Sequence, residues 1–258
     1  MEYSVIATPP SIIIAFTLFI LILVVYWIAI KISGNKKNNE HGTEELGAVE
    51  GSLLGLLALL LAFTFNMAVT RFDMRRQVLI EEANNIGTAI LRADLYPDSV
   101  RNLFRADFKD YVEARIAYYD AKTNQEKIKI ALDQANTIST KLWNRAALLG
   151  QNRDNFISSM QMVPALNSMI DIVTTRNAVK NAKVPDSIMW FLFVLCLICS
   201  FLIGYKGKKN KLAYVVAIVF SLMVSASVYF VLDLDKPRRG LINIDSSEQY
   251  MIELRKMF

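Results

Sequence analysis

The sequence predicts an all-α polytopic membrane protein, with four transmembrane helices and a helical-bundle soluble domain inserted between helices two and three. Its mean hydropathy is +0.31 and 53% of its residues are apolar, which is too apolar for one soluble domain. Four windows lack Asp, Glu, Lys and Arg, and each can cross a bilayer core of about 30 Å. The polar stretch between the second and third windows repeats apolar side chains at helical spacing, without strand alternation.

The four charge-free windows predict transmembrane helices at residues 11–31, 49–70, 187–205 and 212–232. The windows enclose 28, 20, 19 and 21 residues between their charged neighbours, and a crossing needs roughly 18 to 20. The first window has no basic residue before it and no small-residue cleavage site after it. It therefore indicates a retained anchor and not a cleavable signal peptide.

Four amphipathic helices are predicted in the soluble domain. They span about residues 71–96, the segment after the break at Tyr96 and Pro97, residues 125–149 and residues 156–182. The second of them places Arg115 on the same side as its apolar residues, and Pro164 should start or kink the fourth. The first continues transmembrane helix two, and the fourth reaches helix three after only residues 183–185. We expect both connections to be continuous helix.

The chain is thus expected to divide into four segments with different environments. These are residues 1–70 (transmembrane helices one and two), 71–186 (soluble bundle), 187–232 (transmembrane helices three and four) and 233–258 (tail). The tail should form a short amphipathic helix that docks on the bundle or on a neighbouring subunit. Four crossings place loops 32–48 and 206–211 on one side. These short loops are rich in lysine, so the positive-inside rule predicts that they are cytoplasmic and that the bundle is extracytoplasmic.

Composition and motifs exclude several classes of function. The net charge of +5 is spread over clusters beside the membrane helices and forms no nucleic-acid-binding stripe. The two cysteines, Cys196 and Cys199, lie inside an apolar window without further ligands, so we interpret them as packing residues and predict no metal site. Phosphate loops, nucleophile elbows and other catalytic motifs are absent from the sequence. The sequence therefore predicts neither an enzyme nor a cofactor.

Helix two carries a stripe of small residues that ends in an amide. The stripe consists of Gly47, Gly51, Gly55, Ala58, Ala62 and Asn66. One interpretation is close packing against another helix, with Asn66 donating or accepting a hydrogen bond across the contact. The other is that the helix lies beside a central axis, where Asn66 meets water or an ion at the mouth of an apolar constriction.

Charged residues follow at the membrane exit of helix two and of helix four. On helix two they are Arg71, Arg75 and Arg76, and at the end of helix four they are Asp233 and Asp235. These groups either form structural ion pairs that join the two helices or leave an excess of arginine that attracts anions to a pore mouth. Further along helix two, Glu81 and Glu82 either balance Arg75 and Arg76 or form a cation site or gate.

Three segments resemble the bacterial bestrophin-like membrane family. They are "GLLALLLAFTFNMAVTRFDMRRQVLIEEANNIGTAILRADLYP", "ALNSMIDIVTTRNA" and "LDLDKPRRGLI", and the resemblance covers most of residues 47–245. Within the first, "AFTFNMAVTRF" is similar to the second-helix segment of bestrophin channels, in which an apolar aromatic neck precedes a threonine–arginine step. Phe63, Thr70 and Arg71 match that pattern.

This resemblance implies a homo-oligomer, a pentamer, that conducts inorganic anions such as chloride across the bacterial inner membrane. Helix two would surround the pore, with Leu59 and Phe63 as an apolar constriction and with Asn66 and Thr70 also lining it. Two aspartates in "DLD" are too few for a calcium shell, so calcium gating is not implied. Bestrophins keep their soluble domain in the cytoplasm, which opposes the lysine-based orientation. The alternative function is a membrane-anchored sensor or scaffold whose bundle binds a ligand or partner.

Overall fold

The computed structural model describes residues 9–33, 40–206, 211–236 and 245–258, without the side chains of residues 40–46 and 245–248. The helices are α1 (Ser11–Ser33), α2 (Glu40–Ala93), α3 (Asp98–Asp120), α4 (Gln125–Gly150), α5 (Phe156–Asn181), α6 (Asp186–Lys206), α7 (Lys211–Leu234) and α8 (Asp245–Glu253). Short 3-10 helices precede α5 and follow α8. No strand occurs among the described residues, and the all-α prediction is confirmed.

The chain divides into two compact units. The membrane unit is Met1–Phe72 with Lys183–Ile242, and the bundle unit is Asp73–Ala182 with Asn243–Phe258. Helix α2 contributes its first part to the membrane unit and its last part to the bundle unit. The connection between transmembrane helix two and the first helix of the bundle is therefore helical, as expected.

The membrane unit contains helices that are apolar and long enough to span a bilayer. Four such spans occur in the described chain, which confirms the prediction of four transmembrane helices. Helix α1 packs against α6 and α7. The buried core of the unit draws on α1, α2, α6 and α7 and includes Leu18, Ile22, Leu57, Ala68, Leu192, Leu195 and Val228. The protein is an integral membrane protein.

Close backbone approach and buried hydrogen bonds fix the contact of α1 with α6. A Cβ atom added at Gly204 would lie 2.5 Å from the carbonyl oxygen of Tyr26 and 2.9 Å from Ala29 Cβ, so only glycine fits there. One turn earlier, the Ser200 hydroxyl donates to the carbonyl oxygen of Ile22 at 2.7 Å. This bond satisfies a buried hydroxyl that hydrocarbon could not solvate.

The bundle unit is built on aromatic and aliphatic packing between consecutive helices. Helix α3 packs against α4, and α4 against α5. Phe104 and Phe108 of α3 are fully buried, and the Phe104 ring lies 4.9 Å from that of Tyr96. The Tyr96 hydroxyl and the Ser159 hydroxyl of α5 share a hydrogen bond of 2.9 Å. The turn at Tyr96 is thereby held against the beginning of α5.

Two prolines lie in or beside α5 and α6. Pro164 does not start a helix, because it lies inside α5, between the buried residues Met162 and Leu166; a kink at this proline stays a prediction. The expected continuous helix across residues 183–185 was wrong, since α5 ends at Asn181 and α6 begins at Asp186. Pro185 lacks an amide hydrogen and disfavours helical backbone in the residue before it.

Helix α8 and the 3-10 helix after it (Leu254–Met257) dock on the bundle within the same chain. Leu254 is buried and lies 3.4 Å from the Cβ position of Gly87 on α2. Arg255 forms a bidentate salt bridge with Glu113 of α3, in which Nε and Nη2 donate to the two carboxylate oxygens at 2.7 and 2.6 Å. The pKa of Glu113 is lowered by this arginine. Arg105 also donates to the Met257 carbonyl oxygen at 2.9 Å.

The contact at Gly204 gives a direct test of the membrane unit. We expect Gly204→Ala to destabilise the protein by about 1 to 3 kcal/mol, because the added methyl group overlaps the backbone of α1. Thermal unfolding of the purified protein in detergent measures the effect. Gly87→Ala is the control, since a Cβ atom there would lie at an ordinary contact distance of 3.4 Å from Leu254 Cδ2. Equal midpoints for wild type and Gly204→Ala would contradict the packing described.

Candidate functional site

One face of α2 is packed into the core of the membrane unit. Leu57, Thr64 and Ala68 are at most 2% exposed. Their spacing of seven and four residues places them on one side of the helix. The Thr64 hydroxyl donates back to the carbonyl oxygens of Leu60 at 2.9 Å and Leu61 at 3.0 Å. This face therefore packs α2 into the core of its own membrane unit.

The opposite face of α2 carries the pore-lining candidates. Leu59 is 52% exposed and Phe63 is 59% exposed, and Asn66 and Thr70 are also exposed. The steps of four, three and four residues keep these side chains on one side of the helix. The structure thus brings the four candidates together on a face that the helices of the same unit leave uncovered.

The small-residue stripe also faces away from the core. Gly51, Gly55, Ala58 and Ala62 are exposed, and a Cβ atom added at Gly51 or Gly55 would meet nothing within 4 Å. Gly47 differs, because a Cβ atom there would lie 2.6 Å from Lys206 Nζ. From Gly51 onward, the stripe is therefore not used for close packing inside the membrane unit.

The three arginines at the membrane exit lie in different surroundings. Arg71 is half-buried, and its Nη1 atom has no hydrogen-bond partner in the part of the chain that the structure describes. Arg75 is 5% exposed, and its Nη2 donates to the Ala182 carbonyl oxygen at 2.8 Å inside the bundle unit. Arg76 is exposed. Arg71 and Arg76 are thus the more accessible candidates for charge at a pore mouth.

The two aspartates at the end of α7 are held close to the core of the membrane unit. Asp233 is 3% exposed. Asp235 accepts a hydrogen bond from the backbone amide of Val184 at 3.0 Å, which fixes the chain just before α6. Ion pairing of these aspartates with arginines of α2 stays a prediction.

A buried charge cluster lies in the bundle unit. Glu82 is fully buried and forms salt bridges with Arg115 of α3 and Arg176 of α5. Arg176 Nη1 lies 3.2 Å from Glu82 Oε2, which also accepts from the Tyr119 hydroxyl at 2.9 Å. The expectation that Glu82 balances Arg75 and Arg76 was wrong, because its salt bridges are with Arg115 and Arg176. Its neighbour Glu81 is exposed.

Burial and the Glu82 carboxylate set the protonation of the cluster. Burial opposes the charge of Arg115, yet the carboxylate beside it outweighs burial, so the pKa of Arg115 is raised. Burial and the same carboxylate raise the pKa of Tyr119 well above its ordinary value. Burial also raises the pKa of Tyr111 to about 12. The arginines stay charged and the tyrosines neutral throughout the physiological range.

Sequence reasoning missed the centre of this cluster but contained one signal for it. Arg115 lies at an apolar position of α3, and a buried guanidinium requires a carboxylate. Glu82 and Arg176 are separated by 94 residues, and no local pattern connects them. The placement of Arg115 on the apolar side of its helix was therefore the available indication.

Removal of the central carboxylate tests the cluster. We expect Glu82→Gln to destabilise the protein by about 3 to 5 kcal/mol, because it leaves two buried guanidinium groups without their carboxylate. The denaturation midpoint in detergent measures this change. Glu113→Gln is the control, because it breaks an exposed pair with Arg255 and should have a much smaller effect. Similar midpoints for the two variants would contradict a central role for Glu82.

Solved structures of membrane proteins resemble nearly the whole chain. One, a membrane protein, has a TM-score of 0.66 at 15% identity and covers 94% of this chain and 98% of its own. Two are point variants of a bacterial bestrophin homologue from Klebsiella pneumoniae. The first of these has a TM-score of 0.66 at 16% identity, covering 96% and 99% of the two chains. The second has a TM-score of 0.64 at 16% identity, covering 93% and 97%.

These structural similarities, at such low identity, show the fold. No match was found among curated proteins. A family model described as a Bestrophin-like domain matches residues 16–249, which is most of the chain. The protein therefore belongs to the bestrophin-like family.

Proposed function

We propose that the protein is a homo-oligomeric ion channel whose pore is surrounded by copies of α2. The observation that carries this proposal is the uncovered face of Leu59, Phe63, Asn66 and Thr70 on a membrane-spanning helix. An exposed amide inside a bilayer is costly unless a neighbouring subunit or water contacts it. An oligomer with α2 at its axis provides both contacts. The family resemblance supports five subunits.

The constriction of this pore is assigned to Leu59 and Phe63. Each is more than half exposed in the chain, and a ring of such apolar side chains expels water and so opposes ion passage when it is narrow. Asn66 and Thr70 follow on the same face and offer donors and acceptors to a hydrated ion. The small residues Gly51, Gly55, Ala58 and Ala62 are available for contacts between subunits.

Anions such as chloride are the proposed permeant ions. Arg71 has a buried nitrogen without a partner among the described residues, and Arg76 is exposed. Fixed positive charge at a pore mouth concentrates anions and selects by sign. We place the protein in the bacterial inner membrane. The lysine-rich short loops support a cytoplasmic position for loops 32–48 and 206–211.

A sensor or scaffold is the second candidate function. An open groove of about 640 Å³ lies along α4 in the bundle unit. It is lined by Thr137, Thr140, Lys141, Asn144, Arg145, Leu148 and Leu149. In this alternative, a ligand or partner binds the groove and the membrane unit serves as an anchor.

Single-channel recording in planar bilayers under a potassium chloride gradient tests the proposed function. We expect discrete openings that reverse near the chloride equilibrium potential, and Arg71→Glu should shift the reversal potential toward that of potassium. Reversal of the wild type near the potassium potential would reject anion selectivity. Silence of a preparation shown to be folded and oligomeric would reject the channel and favour the sensor.

Alanine substitutions of two phenylalanines on α2 test the proposed apolar constriction. Phe63→Ala should raise single-channel conductance several-fold, because a shorter side chain widens the neck and lets water fill it. Phe65→Ala is the matched control: Phe65 is 45% exposed but lies about 200° around the helix from Phe63. Equal conductance of Phe63→Ala and wild type would remove Phe63 from the pore lining.

A further inference from the structure

We propose that the buried cluster of Glu82, Arg115 and Arg176 binds one small inorganic anion, such as chloride. This site would be structural or regulatory, and it goes beyond ion conduction because all three residues belong to the bundle unit. Its existence does not require that the protein conduct any ion.

The charge count of the cluster is the first argument. Glu82 is fully buried, and it pairs with Arg115, which is 0% exposed, and with Arg176, which is 6% exposed. Within the described chain, these two guanidinium groups have no second carboxylate as partner. The cluster therefore carries one excess positive charge away from water. Such a charge is costly unless a counter-charge accompanies it.

The hydrogen-bond count is the second argument. Both oxygens of Glu82 are already used, since Oε1 accepts from Arg176 and pairs with Arg115, while Oε2 accepts from Arg176 and Tyr119. The Nε atoms of Arg115 and Arg176 are buried and have no acceptor among the described residues. Buried polar groups in native proteins are nearly always bonded, and an unpaired donor commonly marks a bound water or ion.

The surroundings select an anion and limit its size. The Tyr118 ring lies 5.0 Å from the guanidinium carbon of Arg115 and 4.4 Å from that of Arg176; its face stabilises these cations but carries no formal charge, so it does not replace a counter-ion. Lys180 Nζ adds a further positive charge 3.5 Å from the Tyr118 hydroxyl. A water molecule could accept two N–H bonds but would leave the excess charge uncompensated. Burial of both arginines excludes large or macromolecular ligands, which leaves halide-sized anions.

Thermal unfolding of the full-length protein in detergent tests the site. The unfolding midpoint is measured in chloride and in gluconate at constant ionic strength. We expect a saturable rise of about 3 to 5 °C with chloride, as binding at roughly ten times the dissociation constant provides. Arg176→Gln neutralises the excess charge and should abolish the rise. Arg255→Gln is the control, because it removes an exposed guanidinium group and should preserve the rise.

Two results would overturn the proposal. One is an equal midpoint of the wild type in both salts, and the other is a chloride-dependent rise that persists in Arg176→Gln, which would assign the effect to another site. Crystals of the wild type grown in bromide give a second measurement that needs no variant. An anomalous peak within hydrogen-bonding distance of both Nε atoms supports the site. An ordered water or no density there rejects it, whatever the conductance measurements show.

Discussion

Hydrocarbon offers no hydrogen-bond partner to a polypeptide backbone, and this constraint shapes the membrane unit. Every spanning segment must be helical, so specificity can come only from side chains and from close approach of helices. Gly204 against Tyr26 and the Ser200 bond to Ile22 show how α1 and α6 meet under this constraint. Helix α2 uses only one of its faces in the same way. Its other face stays available for contacts or solvent that the single chain does not supply.

The constraint in the bundle unit is different, because its helices bury the Glu82 carboxylate away from water. Glu82, Arg115 and Arg176 come from three helices and so fix the position of each helix relative to the others. Such a network is most sensitive to loss of Glu82, since two buried guanidinium groups then remain without their carboxylate. The pair of Arg255 and Glu113 contributes less to stability, because both side chains are exposed and water screens their charges.

The fold was predictable because its main signal is local. Charge-free windows located α1, α6 and α7 within two residues of their observed ends. The break before α6 was missed because the apolar pattern outweighed the effect of Pro185 on the preceding residue. For the candidate site, helical spacing placed Asn66 and Phe63 on one side of α2. It could not show that Arg75 is buried, because that depends on a contact with Ala182, far along the chain.

The docking of the 3-10 helix after α8 onto α3 has a consequence for the order of events during translation. Arg255 meets Glu113, and Leu254 packs near Gly87. Both contacts need a segment that follows α6 and α7 in the chain, so the ribosome has already synthesised these apolar helices when the contacts form. Completion of the bundle therefore follows synthesis of the membrane-spanning helices. A nascent chain stalled before α7 would carry a bundle that still lacks this final piece of its core.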